Sequence, residues 1–152
     1  MVDIAFRRAE RSDVAAIVAM LADDLLGSGR EDPREPLAEA YLQAFAAIDT
    51  DPSQLLAVMT EAGRVVGTLQ LTFIPGLSRK GALRGQIEAV RVIRDRQSGG
   101  LGQRMIDWAI DQCRTRGCVV VQLTTDRSRQ DAHRFYERLG FKQTHLGYKI
   151  DL

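Results

Sequence analysis

Apolar residues along the chain recur at two spacings, and the switches between them outline the elements. Residues 4–8, IAFRR, read as a short opening strand. Ser12 then stands where an N-cap belongs, ahead of DVAAIVAMLADDLL, whose Val14, Ile17, Val18, Leu21 and Leu25 repeat at helical spacing. A polar loop rich in proline and glycine, residues 27–36, leads to a second helix at about residues 37–48. QLLAVMT and VVGTLQLTF are apolar, β-prone runs, and the four residues Glu61-Ala62-Gly63-Arg64 between them predict a hairpin. A looser stretch, IPGLSRKGALRG, enters a further strand, QIEAVRVI.

Beyond residue 100 the helical period returns. Met105, Ile106, Ala109, Ile110 and Cys113 form a wide apolar face, with Arg104, Asp107, Asp111 and Arg114 opposite and Gly117 closing the helix. CVVVQLTT is an almost unbroken apolar run, the pattern of a strand buried on both sides. SRQDAHRFYERLG predicts a last helix ended by Gly140, and FKQTHLGYKIDL one or two closing strands. The order is β-α-α-β-β-β-α-β-α-β, a mixed sheet with helices packed on it. No internal repeat or low-complexity segment interrupts it, so a single domain over residues 1–152 is expected.

Composition narrows the classes of function. Of 152 residues, 45% are apolar and 27% charged, as in ordinary globular chains. A formal charge of +1 gives no electrostatic reason to expect nucleic acid or an anionic membrane as a partner. No apolar run is long enough to span a bilayer, and the N-terminal stretch, charged from Asp3 onward, lacks the apolar core of a signal peptide. Cys113 and Cys118 are the only cysteines and have no ligand-like histidines near them, so neither zinc nor a disulfide framework is suggested. A cytoplasmic location fits these features best.

The most unusual stretch is RDRQSGGLGQRMIDWAI, with three glycines in four residues just before a helix. Each glycine inside a helix costs about 1 kcal/mol relative to alanine, so backbone geometry or a close approach must be served there. A helix N-terminus exposes unpaired N–H groups and partial positive charge, and glycines let a phosphate reach them. The nucleotide P-loop would need Lys-Ser/Thr after its glycines, but Gln103-Arg104 stands there. The dinucleotide fingerprint would need glycine where Met105 stands. What remains is Gln/Arg-x-x-Gly-x-Gly/Ala, met by Gln97-Ser98-Gly99-Gly100-Leu101-Gly102, and here the chain resembles the GCN5-related N-acetyltransferase (GNAT) superfamily. DAHRFYERLGF, residues 131–141, is similar to the family's second signature, and the element order matches along essentially the whole chain.

The resemblance implies a single-domain α/β (α+β) fold, a mixed, mostly antiparallel central sheet of six to seven strands with about four flanking helices. It also implies transfer of acetyl from acetyl-CoA, as co-substrate and without metal, to a small-molecule or peptide amine. Gln97, Ser98, Gly99, Gly100, Leu101, Gly102 and Gln103 would surround the pyrophosphate. Main-chain groups of Val90, Arg91 and Val92, at a strand bulge, would meet the oxyanion and the pantetheine arm. An alkylamine with a pKa of about 10.4 is almost all ammonium at neutral pH, so a base is needed. Glu88, in mid-strand between Ile87 and Ala89, is the candidate, against the plainer role of pairing with Arg84 or Arg91. Tyr136 would protonate the departing thiolate, although it shares a core-like stripe with Ala132, Phe135 and Leu139. Phe135 would lie beside the cofactor. Many relatives carry asparagine where Arg129 stands here; Arg129 would reach a CoA phosphate, and Ser128 would replace the polar contact and cap the helix.

Acceptor recognition is expected from residues 22–36 and the hairpin side. Asp23, Asp24, Glu31, Asp32 and Glu35 would draw in a cationic amine or simply be solvated, Arg30 or Arg34 would hold a carboxylate, and Phe73 would line the pocket. His133 and His145 read as surface or packing residues. Arg127, Arg134 and Arg138 read as a solvated face or an attraction for the CoA 3′-phosphate. Trp108 marks either a contact in a homodimer or a partly buried aromatic. A CoA-binding module without turnover is the alternative function.

Overall fold

The computed structural model describes residues 2–152, which fall into two compact units divided after residue 122. A five-stranded sheet runs in the order β1 (Ile4–Arg8), β2 (Gln54–Glu61), β3 (Arg64–Pro75), β4 (Leu83–Val92) and β5 (Val120–Leu123). Strands β1 to β4 pair antiparallel in sequence. Five helices accompany it: α1 (Val14–Ala22), α2 (Glu39–Thr50), α3 (Ser78–Gly81), α4 (Leu101–Thr115) and α5 (Gln130–Arg138). The third is a single turn whose central Arg79 and Lys80 are left-handed, which leaves the four helices the sequence predicts.

Period-2 alternation divides the sheet into two faces. One face presents Met59, Leu69, Leu71, Phe73 and Ile87, all at most 3% exposed, in one core with α4's Met105, Ile106, Ala109 and Cys113. Phe6 of β1 stacks on the half-buried Trp108 of α4 with centroids 5.4 Å apart. On the other face, Val14, Ile17 and Val18 of α1 and Phe45 of α2 close over Val58.

Several boundaries differ from the sequence reading for identifiable reasons. Asp13, not Ser12, organises the start of α1. Its carboxylate accepts from the Glu10 N–H at 2.7 Å and from Arg7 at 2.6 and 3.0 Å, and the Arg7 guanidinium holds it below the usual aspartate range. α1 stops at Ala22, before Leu25, which stands exposed. The hairpin turn has two residues rather than four, because Glu61 pairs directly with Arg64 and only Ala62 and Gly63 turn, both at positive φ. β5 is half-buried rather than covered on both faces, since it is an edge strand.

The sheet stops at five strands, short of the expected six to seven. Residues 141–152 form none, although Leu146, Tyr148, Ile150 and Leu152 keep the alternation of a strand, each strongly exposed. Alternation selects a strand only where a neighbouring ladder takes up the backbone N–H and C=O groups. Among the described residues, 141–152 take part in no ladder.

Gly85 fixes how closely β4 approaches α4. A Cβ there would land on Cys113 Sγ and lie 3.6 Å from Cys118 Sγ. Burial pushes the Cys113 thiol up to about 12, so it is a neutral packing group. Gly85→Ala is expected to destabilise the protein by about 1–3 kcal/mol through overpacking. Pairing it with Cys113→Ala should recover part of that loss; thermal unfolding of both variants checks this.

Candidate functional site

The glycine turn is built as the sequence reading anticipates, with one residue carrying the geometry. Gly100 is the N-cap of α4 in the left-handed conformation, φ 73° and ψ 6°, with no atom within 4 Å of where a Cβ would stand. The first bond of the helix is donated by the Arg104 N–H to the Gly100 carbonyl at 3.2 Å. The amides of Leu101, Gly102 and Gln103 precede it and have no carbonyl in their own helix, so they are free to meet an anion. The Gln97 side chain donates to the Val92 carbonyl at 3.1 Å, tying the turn to the end of β4 rather than extending toward a ligand. Arg94 and Arg96, just upstream, are held by Asp23 and Glu61.

β4 is interrupted where the sequence reading expects a bulge, slightly earlier in the strand. Glu88 pairs with Gln70 and Arg91 with Thr68, so Ala89 and Val90 together oppose Leu69. Ala89 takes φ 54°, a conformation that crowds the Cβ of any L-residue. A bulge leaves its extra residue out of the ladder and re-aims the residues beyond it. It also resets side-chain parity: Glu88 and Arg91, three apart, face the same side as Gln70 and Thr68.

Glu88 is exposed on that side. Neither arginine that might neutralise it does so. Arg91 pairs with Asp24 at 3.0 Å, and Arg84 donates to Gln122 at 3.3 Å. Its polar neighbour is Thr72, whose hydroxyl lies 3.3 Å from Glu88 Oε1 and 3.0 Å from Gln54 Oε1, while Gln70 Nε2 donates to Gln54 Oε1 at 2.9 Å. These residues were missed by the sequence reading. Their signal is the polar alternation inside VVGTLQLTF and QIEAVRVI, easily overlooked in runs scored as apolar.

Most acidic side chains of the loop have partners. Asp23 is bonded to Arg94, Asp24 to Arg91 and the Gly27 amide, Glu31 to the Tyr41 hydroxyl at 3.2 Å, and Asp32 to Arg34. Arg34 holds Asp32 at a pKa of about 2. Asp23, Asp24 and Glu31 therefore bind the loop to the rest of the fold, Asp32 pairs within the loop, and Glu31, expected to meet the substrate, is bonded to Tyr41. Phe73, expected to line the acceptor pocket, sits in the core. It is 3% exposed on the α4 face, under the Arg116 guanidinium at 4.3 Å, one step out of phase with Glu88.

The second unit is described by itself. In α5, Ala132, Phe135, Tyr136 and Leu139 are the half-buried stripe, and Tyr136 meets Phe135 and Phe141 edge-on with centroids 5.1 and 5.8 Å away. Arg129 is the N-cap residue of α5, so Ser128 does not cap it. The Ser128 hydroxyl and amide both donate to Asp126, and this holds the Asp126 carboxyl below its ordinary range. Ser128 and Arg129 line an open depression of about 460 Å³. His133 bonds the Asp126 carbonyl at 2.9 Å and His145 the Thr144 hydroxyl at 2.6 Å, so both serve local structure. Among the described residues no three His, Cys, Asp or Glu side chains gather as a metal would need, and no helix is long and apolar enough to cross a membrane.

With this geometry in hand, known proteins agree on the family. The model of the Acetyltransferase (GNAT) family matches residues 16–141. The chain belongs to the GNAT acetyltransferases. This acetyltransferase is 30% identical over 158 residues to the glucosamine 6-phosphate N-acetyltransferase of Trypanosoma brucei brucei, covering 100% of this chain and 98% of that one. It is 31% identical over 110 residues to the aminoalkylphosphonate N-acetyltransferase of Salmonella typhimurium (strain LT2), covering 72% of this chain and 71% of the other. The crystal structure of a transcriptional regulator from Bacillus halodurans C-125 is 42% identical, with a TM-score of 0.96, covering 99% of this chain and 100% of that one. The family uses acetyl-CoA.

The bulge yields a stability test for this acetyltransferase. A β-branched residue at positive φ is strained more than alanine, and glycine not at all. Ala89→Val is expected to be less stable than Ala89→Gly by about 1–2 kcal/mol. Chemical denaturation of the two variants side by side measures the difference.

Proposed function

We propose that this acetyltransferase moves acetyl from acetyl-CoA onto a primary amine by direct attack, with Glu88 as the base and Tyr136 as the acid. The carrying observation is an exposed mid-strand carboxylate that no cation among the described residues claims, next to a bulge whose backbone has left the ladder. The diphosphate of acetyl-CoA sits on the amides from Gly100 to Gln103, with Gln97, Ser98 and Gly99 forming the turn around them. The Val90 to Val92 backbone takes the pantetheine arm and donates N–H groups to the carbonyl oxygen as it gains charge. The amine nitrogen gives its proton to Glu88, directly or through water, and attacks the thioester carbon. The carbon–sulfur bond breaks, and the Tyr136 hydroxyl protonates the departing thiolate. Phe135, Ser128 and Arg129 border the cofactor arm in this reading.

Both curated relatives are named for amines that also carry a phosphorus oxyanion, and we carry that feature to the acceptor here. The Bacillus halodurans relative brings a second reading, a regulator that binds nucleic acid. A net charge of +1 is a weak basis for it, and salt-sensitive retention of duplex DNA would be its mark.

Two experiments test the enzymatic reading. Gly102→Val keeps helical geometry and improves helix propensity while filling the space before the amides. Acetyl-CoA affinity by calorimetry is expected to fall at least about tenfold with no loss in melting temperature. Unchanged affinity removes the turn from the cofactor site. Against an amine panel, Glu88→Gln and Tyr136→Phe should each lower thiol release by about 10²–10⁴-fold, with Glu88→Gln also flattening the rise of rate with pH. Binding of acetyl-CoA by wild-type protein with no thiol release from any amine would instead favour a silent CoA-binding module.

A further inference from the structure

The face that carries Glu88 continues across the sheet as a belt of polar side chains that no helix covers completely. Register places Gln70 opposite Glu88, Thr72 opposite Gln86 and Gln54, and Ile74 opposite Arg84, so these residues share one face. Side-chain bonds knit the belt together. Besides the Gln54, Gln70 and Thr72 group, Gln122 Nε2 donates to Gln86 Oε1 at 3.0 Å, and Arg84 donates to Gln122 Oε1 at 3.3 Å. All but Glu88 are half-buried.

A merely solvated sheet face would carry long charged side chains with both signs interspersed. Here four neutral amides and a threonine lie between one carboxylate and one guanidinium. Gln122 uses both its donor and its acceptor on neighbours, which fixes its orientation. Gln54 and Gln86 accept from their neighbours and keep their NH2 groups to donate, and Gln70 keeps its carbonyl oxygen. Such a surface offers donors and acceptors in alternation, which suits hydroxyl groups, since each hydroxyl both donates and accepts. Arg84 pairs with no carboxylate among the described residues. Its planar fork matches the oxygens of a phosphate. Four residues of strand, about 13 Å between Cα atoms, separate it from Glu88.

We infer that this belt is the acceptor-recognition surface, and that it takes a polyhydroxylated amine with a phosphate at its far end. The amine lies at Glu88, the amides read the hydroxyls, and Arg84 holds the phosphate. The assignment rests on Glu88 being where the amine is activated. A two-carbon aminoalkylphosphonate carries no hydroxyls for the amides to read and spans less of that separation than a hexosamine phosphate.

The test compares glucosamine 6-phosphate, glucosamine and 2-aminoethylphosphonate as acceptors for wild type, Arg84→Ala and Arg84→Lys, reading thiol release at saturating acetyl-CoA. Wild type is expected to favour glucosamine 6-phosphate over glucosamine by at least about tenfold in kcat/KM. Arg84→Ala should remove most of that preference through KM, and Arg84→Lys should restore part of it, which excludes simple misfolding. Preference for 2-aminoethylphosphonate, or an Arg84→Ala loss equal for glucosamine and its phosphate, overturns the assignment while leaving the transferase reading intact. Where no amine releases thiol, calorimetric binding of glucosamine 6-phosphate decides. Binding weakened by Arg84→Ala keeps the surface and sinks the catalytic reading, and no binding to wild type sinks the surface.

Discussion

Side-chain parity in β4 is the constraint on which the candidate site depends. In a regular strand every second residue faces the same way, so Glu88 and Arg91 would point to opposite faces. The bulge at Ala89 and Val90 inserts one residue against Leu69 and restores both to one side. Glu88 then stands in the open, while Arg91 reaches Asp24 in the loop after α1. The left-handed backbone at Ala89 is the local cost of that arrangement. Strain of this kind persists only where the surrounding packing over-determines it, here by the buried Leu69 and Ile87 on the far face.

The same ion pairs explain why the acidic loop is a poor lure for cations. Asp23 with Arg94 and Asp24 with Arg91 join the loop after α1 to the end of β4, just before the glycine turn. Gln97 ties that turn to Val92 from the other direction. Loop, strand end and helix start are thus held as one piece of backbone, which limits the reorganisation needed when an anion settles on the amides at Gly100. Charge spent on such fixing is not free to meet a substrate. In the proposed reading, recognition of the acceptor falls instead to neutral amides on the sheet, with a carboxylate and a guanidinium at separate places.

A carboxylate that no cation among the described residues neutralises, a bulge beside it, a glycine turn with open helix-start amides downstream, and an amide-lined surface extending from the same carboxylate form a consistent set. Each element is simple. Together they suit a reaction in which the cofactor is held by main chain and the acceptor by side chains.

The sequence by itself determined the strands β1 to β4, the helices α1, α2, α4 and α5, the glycine turn and the family, because periodicity and short motifs are properties of neighbours along the chain. It also singled out Glu88, since a carboxylate in mid-strand is visible without coordinates. Tertiary structure alone decided the two-residue hairpin turn, the unpaired residues 141–152 and the burial of Phe73, all of which depend on which strand lies alongside. It alone showed that Asp23, Asp24 and Glu31 are already engaged and that Arg84 and four glutamines share a face with Glu88. Pairings of that kind join residues up to 71 positions apart, as between Asp23 and Arg94, and no local pattern encodes them. Register and the bulge set them, and both exist only once the sheet has formed.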